Sequence, residues 1–570
     1  MITDALALPP DQTLRGDVCI VGAGAAGITL GCELERSGLD VIMLEAGSLK
    51  YDADLQDGLA GEVAGGSVHS PPEMYRRVML GGATTIWGGR CVPLDPIDLA
   101  RRDYVRHSGW PLGWQELEAF YPRAMAYCEA GQFAFRVGEA LGETAPETIA
   151  GFADRDLSAD LLERFSPPTN FGRAYLDRLK LAPRLKLILR ARAIRLHERD
   201  GHIARLHVES GPGRAMSVEA RHYILALGGL ETTRLLMASD TTRCGGLGNQ
   251  GNALGRFYMC HVENTLGRLR VTPATRPIAL HFERTADGVY VRRKLALSPE
   301  AQRARGLLNT AARLHYPLIA DPAHGDGVLS MMYLVKDAII PEYRRKLAAI
   351  EIANRDRLTR DRAFWAAHMR NVGAGATDVA RFGVDWLRRR TFARRKLPFV
   401  VVQSRDASYP LDINAEQIPD RSNTVSLSDA RDLNGMRRLV VNWRLAAQDV
   451  DSLVRAMGVM RAAFARSGCG VLEYDEDTIA DQVRASTPVG GHHLGTTRMS
   501  DSPADGVVDR DCAVHGIANL HVASGSVFPT CGHANPTLTI VALAIRLAER
   551  VRLLAEASSS HGDIAHAEVV

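Results

Sequence analysis

DVCIVGAGAAGITLGCELERSGLDVIMLE, residues 17–45, decides the fold of this chain. The apolar run at 18–21 predicts a buried strand, and the glycines of GAGAAG follow it directly. A helical pattern then runs to Ser37 and ends at Gly38. A second apolar run at 41–44 leads to Glu45. Strand, turn, helix and second strand together predict the start of a doubly wound α/β sheet.

Each glycine of this turn has a physical role. Gly22 permits a tight turn, Gly24 lets the backbone approach a pyrophosphate, and Gly27 lets the helix pack close to the strand. The helix N-terminus stabilises negative charge. Glu45 can accept hydrogen bonds from ribose hydroxyls. The segment therefore predicts a dinucleotide site, and the motif by itself leaves open whether the dinucleotide is FAD or NAD.

The composition is that of a globular protein, with 570 residues, 46% hydrophobic and 24% charged. A formal net charge of +3 does not favour nucleic-acid binding. The nine cysteines are scattered without a CxxC pair, so they predict reduced thiols and no metal site. We find neither a membrane-spanning apolar run nor a signal-peptide pattern. The chain is therefore expected to be cytoplasmic.

The C-terminal part carries the candidate catalytic residues. GHHLGTTRMS at 491–500 places two histidines side by side, and Asn535 precedes a proline. Asparagine is a preferred N-cap and proline is favoured at the first helical position, so a helix is predicted from here to about Leu553. A neutral imidazole can take a proton from an alcohol near neutral pH. The pattern favours acid–base chemistry, although adjacent histidines also occur in structural turns.

These motifs resemble those of the glucose–methanol–choline (GMC) flavoprotein oxidoreductases. The resemblance covers most of the chain and rests on GAGAAG with Glu45, LGGATTIWGG, SGWPLGWQELEAFYPRA, LALGGLETTRLL, LGRFYMCHV, SNTVSLS, HHLGTTRM and ANPTLT. Within the family, the sequence is most similar to the pyranose oxidase and bacterial sugar dehydrogenase branch. The family implies FAD as cofactor and a Rossmann-like FAD-binding domain interleaved with a sheet-and-helix substrate-binding domain.

The resemblance also predicts how the chain is divided. The FAD-binding domain is expected at 1–130, 184–260 and 485–570. The substrate-binding domain is expected at 131–183 and 261–484, with a basic helical insertion at about 341–396. The predicted FAD contacts are Gly22, Gly24, Ala25, Ala26, Gly27, Glu45, Ala46, Gly81, Gly82, Thr84, Trp87, Gly88, Ile194, Gly525, Ser526, Asn535, Pro536 and Thr537.

On the family pattern, His492 is the catalytic base and Asn535 is the second catalytic residue. His493 falls on a variable position, where it lines the pocket or turns away. The family implies that a CH–OH group is oxidised by hydride transfer to the flavin N5 atom. The helix that begins at Pro536 is expected to stabilise the charge of the reduced flavin.

Four further residues surround these sites in the sequence pattern. His261 and His533 are expected to be structural or to support the catalytic residues. Trp87 is expected beside the flavin, with simple core packing as the alternative. Ile86 stands where pyranose oxidases carry the histidine that binds flavin covalently, so the FAD is predicted to be non-covalent.

The expected substrate is a sugar, a glycoside or a related polyol. The alternatives are a sterol-like or aryl alcohol, or a flavoprotein without alcohol chemistry that serves a membrane or protein partner. The electron acceptor stays open among oxygen, a quinone and a small carrier.

The predicted insertion is strongly basic, because residues 341–396 hold 15 Lys or Arg against 6 Asp or Glu. A solvated helical surface accounts for this charge. Docking on an anionic membrane or an acidic partner, or binding of a phosphorylated substrate, are the alternatives.

Overall fold

The computed structural model describes residues 1–211, 213–239, 245–272, 277–339, 361–399, 401–404, 407–486, 488 and 491–567. Within these residues, two sheets of eight strands and one of three form the framework of the protein. A large apolar core lies around the first sheet and a second core lies against the other large sheet.

The first sheet contains the predicted dinucleotide motif. Its strands lie in the order Ile2–Asp4, Leu185–Leu189, Val41–Glu45, Thr13–Val21, Ala215–Leu225, His202–Glu209 and Arg192–Arg199, and Leu520–Val522 pairs with Ala215–Leu225. The first five strands and Leu520–Val522 are parallel, whereas the last two form an antiparallel meander. The predicted doubly wound α/β class is confirmed.

Helices Ala25–Leu34 and Thr537–Ala567 pack together beside this sheet. The C-terminal helix begins slightly later and ends later than predicted, because its sequence beyond Leu553 contains no proline to stop it. The amide of Ile540 donates to the carbonyl of Pro536 at 2.9 Å, so the first helical hydrogen bond spans the proline.

The second sheet is antiparallel throughout. Its order is Gly470–Glu473, Val262–Val271, Ser408–Ala415, Thr310–Leu314, Tyr290–Leu297, Leu157–Phe165 and Arg90–Cys91, with Glu283–Arg284 beside Tyr290–Leu297. Apolar side chains such as Leu411 and Ile413 join those of helix Ala447–Ser467 in the second core. Polar residues of the same strand, such as Asp412 and Asn414, alternate with these and lie on the opposite side of the sheet.

The third sheet consists of Thr424–Arg431, Arg437–Asn442 and Glu62–Val63. Glu62–Val63 and Arg90–Cys91 come from the predicted FAD-binding segment 1–130 and pair outside the first sheet. The predicted division into domains stays a proposal. The other helices are Ala53–Asp57, Pro96–Leu99, Trp114–Glu118, Tyr121–Tyr127, Val137–Leu141, Phe171–Ala174, Leu176–Leu181, Gly228–Ala238, Pro299–Arg305, Gly327–Ile339, Arg362–Ala374, Ala376–Trp386 and Ile479–Arg484.

The described part of the basic insertion is helical. Helices Arg362–Ala374 and Ala376–Trp386 are followed by the π-helical turn Leu387–Thr391, while positions 341–360 lie outside the described residues. Of the helices in the described ranges, none is long and apolar enough to cross a lipid bilayer.

Candidate active site

The glycine turn after Thr13–Val21 has the geometry of a pyrophosphate site. Gly22 has a φ of 104°, and a Cβ there would lie 2.6 Å from the carbonyl oxygen of Ala226. A Cβ on Gly27 would lie 1.9 Å from the carbonyl oxygen of Gly22. A Cβ on Gly24, in contrast, would meet no heavy atom within 4 Å. Because Gly24 caps helix Ala25–Leu34, this open space lies at a helix N-terminus, and the residues fit a bound FAD.

Glu45 is buried at the carboxyl end of its strand. Its carboxylate accepts hydrogen bonds from the amides of Ala23 at 3.0 Å and Gly47 at 2.8 Å. Burial raises the pKa of Glu45, and these two amides oppose that rise. The amide of Ala191 donates to the carbonyl of Glu45 at 2.9 Å, which brings the strand containing Ile194 to the same edge.

The second glycine loop lies directly on the first. The amide of Gly81 donates to the carbonyl of Ala23 at 2.8 Å. A Cβ on Gly82 would lie 3.1 Å from Cα of Gly24. Thr84 holds this loop through its hydroxyl, which donates to the carbonyl of Gly81 at 2.6 Å. The two loops predicted to contact the dinucleotide therefore form one surface.

Trp87, at the end of this loop, contacts residues 169 and 171. Its indole N–H donates to the carbonyl of Thr169 at 2.9 Å, and its ring makes an edge contact with Phe171. Gly88 is exposed. These contacts support Trp87 as a packing residue of the loop, and its place beside the flavin stays a prediction.

The C-terminal motifs pair with each other. The amide of Thr497 donates to the carbonyl of Ser526 at 2.9 Å, and their hydroxyls are 2.6 Å apart. Leu494 packs closely against Gly525, since a Cβ on Gly525 would lie 2.6 Å from Cδ2 of Leu494. The HHLGTTRM segment is thereby held against the segment that leads to the last helix.

The structure brings His492 and Asn535 together. Nε2 of His492 lies 3.0 Å from Nδ2 of Asn535. Nδ1 of His492 lies 2.7 Å from Nδ1 of His261, which is fully buried. Burial lowers the pKa of His261 to about 3, with a smaller contribution from His533. A neutral histidine and an amide thus contact opposite nitrogens of the predicted base.

His493 belongs to a different cluster. The hydroxyl of Tyr258 lies 2.6 Å from Nδ1 of His493, 2.8 Å from Nε2 of His69 and 3.3 Å from Sγ of Cys260. The possible ligand atoms of His69, Cys260 and His493 lie within 4.8 Å of one another. The tyrosine hydroxyl occupies the space between them and hydrogen-bonds them. The prediction that the protein holds no metal stays a prediction.

The polar side of the second sheet faces the catalytic segment. Nδ2 of Asn414 donates to the carbonyl of His533 at 2.7 Å, and Nζ of Lys294 lies 3.0 Å from Nε2 of His533. Arg292 precedes Lys294 by two residues and therefore lies on the same side of its strand. Asp412 has the same relation to Asn414. The segment at 533–535, which ends in Asn535, thus has a charged surface opposite its first residue.

Ion pairs hold this surface together. Nε of Arg313 donates to Glu163 at 2.6 Å, and Nη1 of Arg313 donates to Asp412 at 3.3 Å. Burial alone would raise the pKa of Glu163, but Arg313, Arg90 and Arg292 hold it at about 2. Glu163 is therefore ionised at neutral pH.

Sequence reasoning missed this surface and the contact of His261 with His492. The strand YVRRKLAL at 290–297 did contain a signal, since it places three consecutive charges, Arg292, Arg293 and Lys294, between apolar residues and all of its residues are buried. Buried charges require partners, so such a strand indicates a polar surface built from neighbouring strands. No comparable signal in the sequence paired His261 with His492, because 231 positions separate them.

The parallel sheet, its two glycine loops and the imidazole–amide pair define a dinucleotide-binding oxidoreductase. Residues 419–544 match the family model described as GMC oxidoreductase. This match confirms the predicted resemblance over the C-terminal part of the chain, and the protein is an FAD-dependent oxidoreductase that acts on alcohols.

Two relatives align along nearly the whole chain. Paromamine 6'-oxidase of Streptomyces fradiae is 24% identical over 94% of this chain and 91% of its own length. The 6'''-hydroxyparomomycin C oxidase of Streptomyces lividus has the same identity and coverage. Among solved structures, pyridoxine 4-oxidase from Mesorbium loti superposes with a TM-score of 0.53 at 16% identity, covering 94% of this chain and 98% of that one. The structural likeness concerns the fold.

Proposed function

We propose that the enzyme oxidises a hydroxyl group of a sugar, glycoside or related polyol to a carbonyl, with His492 as the base. The contact between His492 and Asn535 at 3.0 Å carries this proposal. The motif residues of the two glycine loops would hold FAD without a covalent bond, because Ile86 offers no nucleophile. The electron acceptor is oxygen, a quinone or a small carrier.

Oxidation of the alcohol removes a proton from the hydroxyl oxygen and a hydride from the carbon that bears it, which leaves a carbonyl group. Bound FAD supplies the chemistry that accepts the hydride. Nε2 of His492 takes the proton from the hydroxyl oxygen, and a positioned base of this kind contributes roughly 10²- to 10⁴-fold in rate. Asn535 hydrogen-bonds the same oxygen and orients it. The first turn of helix Thr537–Ala567 favours negative charge beside the reacting groups.

The charged surface favours a polyol over a sterol-like or aryl alcohol. Among the described residues, Oε2 of Glu163, Nη1 of Arg292 and Oδ1 of Asn414 are buried without a hydrogen-bond partner. A buried unpaired polar atom is costly, and sugar hydroxyls can both donate to the two oxygens and accept from the guanidinium. Nε of Arg90 lies 3.6 Å from Oε2 of Glu163, so an apolar substrate would leave the atoms of Arg292 and Asn414 unpaired and that of Glu163 without a hydrogen bond.

Anaerobic reduction of the bound flavin tests this function. We expect bleaching of the band at about 450 nm by D-glucose, methyl β-D-glucoside or paromamine, and none by benzyl alcohol or cholesterol. Paromamine is included because one relative of this chain is a paromamine 6'-oxidase. Readmitting air then separates an oxidase, which recovers its colour, from a dehydrogenase. Bleaching by benzyl alcohol or cholesterol alone would refute the sugar assignment.

The basic insertion supports a second proposal, docking on an anionic membrane. Helix Ala376–Trp386 has no buried residue. Val384 is 68% exposed and Phe392 is 79% exposed, and Arg388 and Arg394 are exposed beside them. Apolar side chains next to a group of cations are typical of helices that lie in the membrane interface.

Vesicle sedimentation tests the docking. Wild-type protein should pellet with vesicles of phosphatidylglycerol but not of phosphatidylcholine. Each basic residue near the surface contributes about 1 kcal/mol, so the variant R388Q/R394Q/K396Q should partition on the order of 100-fold less. The control R36Q/R155Q/R199Q changes the same charge at side chains that are 83–93% exposed elsewhere and should bind like wild type. Equal pelleting of both variants would contradict the proposal.

A further inference from the structure

The hydrogen bonds around His492 determine which nitrogen carries its proton. Nε2 of His261 lies 3.4 Å from the carbonyl oxygen of Cys531. A carbonyl oxygen only accepts, so Nε2 of His261 must carry a hydrogen. Because burial keeps His261 neutral at neutral pH, its Nδ1 has a lone pair and can only accept.

The hydrogen on Nε2 of His261 also fixes the hydrogen of His492. Since Nδ1 of His261 accepts, Nδ1 of His492 must donate across the 2.7 Å contact. A neutral His492 then has its lone pair on Nε2. That assignment agrees with the independent contact on the other side, where the amide Nδ2 of Asn535 donates to Nε2 at 3.0 Å. Both neighbours of His492 require the same tautomer.

We propose that His261 is a positioning residue for the base: it accepts the Nδ1–H of His492 and thereby keeps the Nε2 lone pair directed at Asn535 and the reacting hydroxyl. This inference rests on the proposed role of His492. A neutral acceptor orients the ring as a carboxylate would, but stabilises the protonated imidazole less. His492 is therefore held in the tautomer whose lone pair lies on Nε2.

Charged and titratable groups of the described residues face His261 from several elements. His492 lies on the segment at 491–499, and His533 lies on the segment that leads to the last helix. Arg313 of the second sheet acts in the same direction, against a positive charge on His261. The carboxylate of Asp98 is also near, because a Cβ on Gly532 would lie 2.3 Å from it. An aspartate introduced at position 261 would pair with the protonated ring of His492, against the cost of its own burial and the repulsion of Asp98.

Three substitutions of His261 separate positioning from packing. H261L removes the acceptor, and kcat should fall about 10- to 100-fold with KM little changed. H261N restores an acceptor oxygen and should recover part of the loss. H261D places a negative charge beside His492, so the pKa of the base rises and the acidic limb of kcat/KM moves up by about one pH unit or more. In the wild-type enzyme, activity falls as the pH is lowered through this limb, because the base becomes protonated.

The assay is reduction of the bound flavin by the alcohol of the panel above that bleaches it fastest. A second readout needs no substrate: diethyl pyrocarbonate modifies the neutral imidazole, and tandem mass spectrometry follows modification of His492 against pH. In H261D that midpoint should move up in parallel. H222N, a buried histidine in the first sheet, is the matched control and should change neither profile.

Different results would count against His261 and against His492. Unchanged pH profiles in H261D, or H261L rates equal to wild type, would overturn the role of His261 while leaving His492 as base. Full activity of a His492 variant would overturn the base itself, whatever the modification profile shows.

Discussion

Replacing His492 with alanine should slow reduction of the bound flavin by about 10²- to 10⁴-fold, the usual contribution of a positioned general base. The loss should fall on kcat, because the imidazole acts on the proton that moves during the reaction and substrate binding relies on the charged surface opposite. Stopped-flow reduction under anaerobic conditions measures the effect. External imidazole is a further readout, since it should restore part of the rate by entering the space of the missing ring.

The neighbouring histidine supplies the control. His493 contacts Tyr258 rather than Asn535, so H493A should retain rates within about tenfold of wild type. Flavin content and the unfolding temperature should match wild type in H492A. If H492A reduces its flavin as fast as wild type, another group takes the proton and the proposed mechanism is wrong.

Replacing Gly24 with valine should abolish tight FAD binding while leaving the fold intact. The backbone at Gly24 is extended, with φ of −83°, so any L-residue can adopt it. A Cβ there meets no protein atom within 4 Å, and the valine side chain would instead fill the space that a pyrophosphate needs. Overpacking of about 1–3 kcal/mol, together with lost contacts at the helix N-terminus, weakens FAD on the order of 100-fold or more.

Thermal unfolding with added FAD measures this loss. A ligand at 100 times its Kd stabilises a protein by about 2.7 kcal/mol, so wild-type apoprotein should gain stability on FAD addition and G24V should not. G383V is the control, because its Cβ also meets open space but lies in the insertion helix. G27V should fail to fold, since its Cβ would lie 1.9 Å from the carbonyl oxygen of Gly22. Normal FAD binding by G24V would refute the assignment of this space.

The glycine turn shows how much local sequence can predict. Its strand, turn and helix depend on neighbours within about thirty positions, and apolar runs and glycines encode them directly. The prediction of the last helix was right about its position and short at its end, because capping signals mark a start more sharply than an uncapped helix marks a stop.

The sequence by itself determined the fold class and the dinucleotide turn, because each depends on a short pattern of residue types, and the resemblance of its motifs to a family singled out the two candidate catalytic residues. Only the tertiary structure decided that His261 contacts His492, that Tyr258 engages His493, and that Asn414 and Lys294 face the catalytic segment. These contacts join strands and loops far apart in the chain. Packing of the two large sheets around the C-terminal segment sets them, and residue type at any single position carries no record of its partner.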